Sequence, residues 1–151
     1  MVGKIDVPNP SRWTAATVAL ALLAAPAHAA SGRTPSIPGT VLYFETPREG
    51  PVPRGPIIVR AGLRGMGVAP SGESVSRTGH HHLLIDTKLG PLDQPLPISN
   101  SVVHFSGGET EVEITLSRGW HQLQLVLTDG NHMNFDPPVV SKPISVLVGR
   151  R

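Results

Sequence analysis

The chain has 151 residues, no cysteine, 16 prolines and a formal net charge of +2. Without cysteine it has no disulfides, thiolate ligands or thiol nucleophile, so any metal must be held by nitrogen, oxygen or thioether. The near-balanced charge, with basic residues scattered singly and no interleaved aromatics, argues against a nucleic-acid partner, and the prolines count against long helices.

Residues 1–29 read as an export signal. Lys4 and Arg12 precede an apolar run from Trp13 to Ala25, and Ala27-His28-Ala29 supplies a small-x-small cleavage pattern. The run is too short for a permanent span, which needs roughly 20 apolar residues. The expectation is therefore a periplasmic or secreted protein with no lasting membrane anchor. Of the 13 basic and 11 acidic residues, Lys4, Arg12 and Asp6 belong to this segment, so the mature part is almost neutral.

Residues 30–40 are rich in Ser, Gly, Thr and Pro without apolar period, and read as a flexible lead-in to a single domain over 41–149. Seven strands are predicted there: Val41 to Thr46, Ile57 to Leu63, His81 to Asp86, Val102 to Phe105, Thr110 to Leu116, Trp120 to Leu127, and Ile144 to Val148. Pro47 to Pro56 reads as a turn, and Ser117-Arg118-Gly119 as a hairpin between two alternating strands. The fold class is all-β, an immunoglobulin-like antiparallel β-sandwich. Its expected inward residues are Leu42, Phe44, Ile58, Leu83, Ile85, Ile114, Leu123, Leu125 and Val146. Two longer segments, Gly65 to Gly79 and Gly90 to Asn100, flank the third strand in sequence and are placed to form a binding rim.

The third strand opens on His80-His81-His82, a run that few folding requirements explain. Side chains alternate along a strand, so His80, His82 and Asp86 share one face while His81, Leu83 and Ile85 share the other. Positions two apart lie about 6.5 to 7 Å apart at Cα, from which two imidazoles can converge on one ion. His104 and His132, each beside a turn, are candidates for the remaining ligands. Imidazole suits zinc or copper, and a thioether from Met66 or Met133 would favour copper. Asp86, Asp129 and Asp136 are cast as acceptors orienting a ring nitrogen. His121 shares parity with Leu123 and Leu125 and is expected to pack in the core, as is His81 between the sheets. The alternative is that all these rings are architectural, satisfying backbone groups without a metal.

Five ordered blocks carry a resemblance: Gly65 to Pro70, Thr78 to Asp86, His104 to Thr110, His121 to Leu125, and Asn131-His132 followed by Asp136 to Ser141. Together they resemble the bacterial family of exported domains of unknown function designated DUF4399, over about Val41 to Val148. The resemblance implies a histidine-marked domain and no particular chemistry. Relatives carry two further histidines where this chain has Gly130 and Phe135, so a ligand role does not transfer to those two positions.

Two functional classes follow. One is a metal-binding or metal-handling domain; the other is a non-catalytic interaction or structural module of the cell envelope, with architectural histidines and an envelope protein as its partner. Nothing recommends an enzyme: Gly107-Gly108 lacks a following P-loop lysine, Asp136-Pro137-Pro138 reads as a turn cap, and Glu109, Glu111 and Glu113 read as an exposed strand face.

Overall fold

The computed structural model describes residues 32–149. The expected export signal lies outside the described residues. Ten strands form: β1 Val41–Thr46, β2 Gly50–Val52, β3 Pro56–Arg64, β4 Gly67–Val68, β5 Thr78–Ile85, β6 Val102–His104, β7 Glu111–Thr115, β8 Gly119–Thr128, β9 Asn134–Val140 and β10 Ile144–Val148. Among the described residues there is no helix, and none therefore long and apolar enough to cross a membrane.

The strands make two sheets. The smaller has the order β1-β3-β7, antiparallel throughout. The larger is built on β10-β8-β5, with β2 parallel to β10 at one edge and with β6 and β4 on the far side of β5. Distributing β1, β3 and β7 to one sheet and β5, β8 and β10 to the other is the arrangement of an immunoglobulin-like sandwich. β9 and β10 lie along the same side of β8 and act as one bent strand. At the break, the Ser141 amide donates to the Leu125 carbonyl while the Ser141 hydroxyl accepts from the Leu125 amide, so the bend leaves neither group of Leu125 unpaired.

The core between the sheets takes alternate residues of each strand: Ile57, Val59 and Ala61 of β3, Leu83 of β5, Leu123, Leu125 and Leu127 of β8, and Val146 and Val148 of β10. A smaller cluster of Leu84, Leu96, Val102 and Val126 lies on the outer face of the larger sheet, where Leu96 from the β5–β6 loop covers it. Both faces of β5 are consequently dry, which is why all residues from Gly79 to Leu84 are buried.

Several expectations are corrected. Ile58 points outward and is 42 % exposed, while Ile57 and Val59 point in; the unbroken run Ile57-Ile58-Val59 carries no alternation from which to choose a face. Ser117–Gly119 is not a hairpin, because β7 pairs with β3 and β8 pairs with β5 and β10, so the turn carries the chain from one sheet to the other. β2 forms inside the expected Pro47–Pro56 turn by pairing with β10, and β9 forms across Asp136-Pro137-Pro138. The lead-in is pinned from Arg33 to Ser36: Arg33 pairs with Asp136 at 2.8 Å, the Thr34 hydroxyl donates to Asp129, and the Ser36 amide donates to the Asp136 carbonyl.

Candidate metal centre

The register of the larger sheet places the histidines on its outer face. His80 stands opposite Thr128, and His82 stands opposite Val126 on one side and His104 on the other. Directly opposed residues in an antiparallel pair share a face, so His80, His82 and His104 emerge together. His82 and His104 stack at 4.8 Å between centroids with planes only 8° apart.

The fourth ring comes from the β8–β9 turn. His132 has a left-handed backbone (φ 64°) and its amide donates to the Asp129 carbonyl. The Asp129 carboxylate accepts from the amides of Asn131 and Met133 and from the Thr34 hydroxyl, fixing the turn. The Leu96 amide donates to the His132 carbonyl, tying this turn to the β5–β6 loop. The His132 ring then lies 4.6 Å from His104 and 4.9 Å from His80.

One nitrogen from each of His80, His82, His104 and His132 can be chosen so that all four lie within 4.8 Å of one another. Four nitrogens at 2.0–2.1 Å from a tetrahedral ion are about 3.4 Å apart, so closure requires each ring to move on the order of 1 Å or less. The cluster is therefore sized to hold a metal ion. His80 and His82 are fully buried, whereas His104 and His132 are partly exposed and form the side open to solvent.

The unmet hydrogen bonds fit a cation. His82 Nε2 and His80 Nε2 lie 3.1 and 3.3 Å from the Thr128 hydroxyl, and His132 Nε2 lies 3.1 Å from Ser71 Oγ. His80 Nδ1, His82 Nδ1 and His104 Nε2 are buried without a hydrogen-bond partner among the described residues. A buried polar atom without a partner costs about 1–3 kcal/mol, and three of them face this one cluster, while His81 Nε2 on the inner face is unpartnered as well.

His80, His82 and His104 are biased toward the neutral state, in which imidazole can ligate. Burial, reinforced by His132 and His104, depresses the His80 pKa to about 4, against the opposing pull of Asp129. Burial, then His80, His104 and His132, depresses that of His82 to about 2. His104 is also lowered, by burial and by His132.

The other expected site residues lie elsewhere. His81 is buried on the inner face, edge-on to Phe105 at 5.8 Å, with Nδ1 3.2 Å from the Glu109 carbonyl. Asp86 does not orient a ring of the cluster. It lies beyond the opposite end of β5, 2.6 Å from His121 Nδ1, and also accepts from the Gln122 amide. His121 is correspondingly not a simple core ring, because its Nε2 meets the Ser117 carbonyl at 2.9 Å. Burial opposes protonation of His121, but the bonds to Asp86 and Ser117 outweigh it and raise its pKa. Met66 packs against the inter-sheet core, on the wrong face for a thioether ligand. Met133 engages the turn through its backbone, and Asp136 pairs with Arg33. Phe135 is buried in the inter-sheet core, and a Cβ at Gly130 would collide with the Glu73 carbonyl, so neither position offers room for another ligand in this arrangement.

Thr128, Ser71 and Asn134 were not legible as site residues in the sequence. Thr128 becomes visible only through its register opposite His80, and Ser71 only once the β4–β5 loop folds onto His132.

The family model described as "Domain of unknown function (DUF4399)" matches residues 59–149, a span that includes all four clustered histidines and begins within β3. A search of curated proteins returns no match. Among solved structures, the fibronectin(III)-like modules of Clostridium thermocellum CbhA align at 11 % identity and a TM-score of 0.40, covering 72 % of this chain and 95 % of that one.

Proposed function

We propose that this chain, which belongs to the DUF4399 family, binds one transition-metal ion, copper or zinc, through His80, His82, His104 and His132. The observation that carries the reading is the convergence of four imidazoles with three buried nitrogens unpartnered. An all-imidazole set suits both metals, and with Met66 on the inner face the thioether argument for copper loses one of its two residues. When bound, the ion would draw the rings together and tie β5, β6 and the β8–β9 turn. Residues 1–29 would direct the protein to the periplasm or beyond. The role is then metal binding or handling outside the cytoplasm, without catalysis.

The test is isothermal calorimetry of the untagged protein with Zn²⁺ and with Cu²⁺, alongside the His80→Ala/His82→Ala variant. A single-site isotherm weakened at least tenfold in the variant supports the reading; no saturable binding to the wild type rejects it. The alternative, an envelope interaction or structural module with architectural rings, draws on the hydroxyl contacts that already occupy one nitrogen of His80, His82 and His132. It would be favoured by that negative result.

A further inference from the structure

His80, Thr128 and Asn134 form one row across β5, β8 and β9, since Thr128 is the register partner of both. All three are buried. The Thr128 hydroxyl is shared by two rings, at 3.3 Å from His80 Nε2 and 3.1 Å from His82 Nε2. A hydroxyl has one proton and two lone pairs, so it cannot donate to both rings, and at least one Nε2 must carry a hydrogen. If Thr128 donated to one of them, that ring would carry its proton on Nδ1, and both Nδ1 atoms are buried without an acceptor. If both Nε2–H groups donate to Thr128, the two lone pairs of its oxygen are used and both Nδ1 atoms are bare.

The hydroxyl proton then needs its own acceptor. The register neighbour Asn134 has a buried Oδ1 that makes no hydrogen bond in this arrangement, and a rotation of either side chain would be needed to bring it to the hydroxyl. With both Nε2–H groups on Thr128, no buried N–H of the two rings is left unmet.

We infer that Thr128 is a positioning residue that holds His80 and His82 together in the Nε2–H form, leaving both Nδ1 lone pairs available to a cation. The inference deepens the metal-binding reading by naming the ligating atoms, and it concerns the metal-free protein equally. Ligating imidazoles characteristically donate their second nitrogen to a nearby acceptor, and loss of that acceptor weakens metal affinity about 10–100-fold. Here one hydroxyl serves two ligands.

The test is two-bond ¹H–¹⁵N correlation spectroscopy on histidine-labelled protein at pH 8, metal-free and then with Zn²⁺. Both rings are expected as Nε2–H before zinc, with the large ¹⁵N shift at Nδ1 afterwards. An Nδ1–H signal for either ring in the metal-free wild type would overturn the inference, and that measurement needs no variant. Thr128→Val is expected to redistribute the proton on at least one ring and to weaken zinc binding 10- to 100-fold, while Thr128→Ser stays within about threefold of wild type. Unchanged tautomers and affinity in Thr128→Val would also overturn it. Nε2–H tautomers in a protein that takes up no metal would sink the proposed function and leave the assignment of Thr128 standing.

Discussion

Acidification of the metal-free protein should destabilise it well above the carboxylate range. His80 and His82 have folded-state pKa values depressed to about 4 and about 2, against about 6.5 in the unfolded chain. Below pH 6.5 the unfolded state binds more protons, so stability falls as pH drops. The loss from His80 levels off near pH 4, and that from His82 continues toward pH 2. At pH 5 each ring forfeits roughly 2 kcal/mol relative to pH 8. For a β domain of this size a loss of about 4 kcal/mol lowers Tm by on the order of 10 °C or more. His104 acts in the same direction. His121 opposes it: its raised pKa adds stability below 6.5 that disappears as pH rises through the folded value. Because Asp86 is half exposed, that pair is worth only about 1 kcal/mol or less, so the buried rings prevail. The assay is scanning calorimetry at pH 8, 6.5 and 5 with chelator present, on wild type and on His80→Leu/His82→Leu. The reasoning is refuted if wild-type midpoints are equal at pH 8 and 5, or if the double variant retains the full pH dependence.

His121→Gln should lower Tm slightly at pH 6, with a smaller loss at pH 9 where the ring is neutral in both states; an equal loss at both would show that packing alone is at stake. Gly79→Ala should destabilise by several kcal/mol and disturb the cluster, because its Cβ would run into the Thr128 carbonyl, Leu127 and the Phe135 ring; urea titration measures it, and a neutral result would contradict the packing described. Gly130→His, which restores the residue expected in relatives, should lower stability without raising metal affinity, since Glu73 fills the space. Residues 30–151 alone should give a β-type circular dichroism spectrum with a cooperative melt; a helical or non-cooperative trace would count against the strand assignment.

Much of this was written locally in the chain. Alternation in Glu111 to Leu116 and Trp120 to Leu127 marks two strands, although the second half of β8 proves dry on both faces, and the His80/His82 parity follows from the strand period of two. What the sequence could not show is partnership. β7 and β8 look like a hairpin because each alternates, yet they belong to different sheets, and alternation does not encode the neighbour. β9 was hidden by its two prolines. They are tolerated there because the register with β8 is interrupted between Leu127–Val139 and Thr128–Asn134, where the ladder asks nothing of their missing amides. Asp86 and His121 were each assigned from parity alone, and parity cannot tell which end of a strand meets which. Thr128 falls one residue beyond the predicted strand Trp120 to Leu127, so nothing in the sequence marks it, although it contacts two rings.

The central claim is that four imidazoles form one metal site. Competition titration of the untagged protein with a chromophoric chelator, using Zn²⁺ and Cu²⁺ and setting wild type beside the variant with His80, His82, His104 and His132 all replaced by alanine, tests it most directly. The account predicts one ion per wild-type chain, bound more tightly than about 1 μM, near −8 kcal/mol, with no such binding in the variant. Absence of saturable binding below about 100 μM, or equal binding by the two proteins, would contradict it.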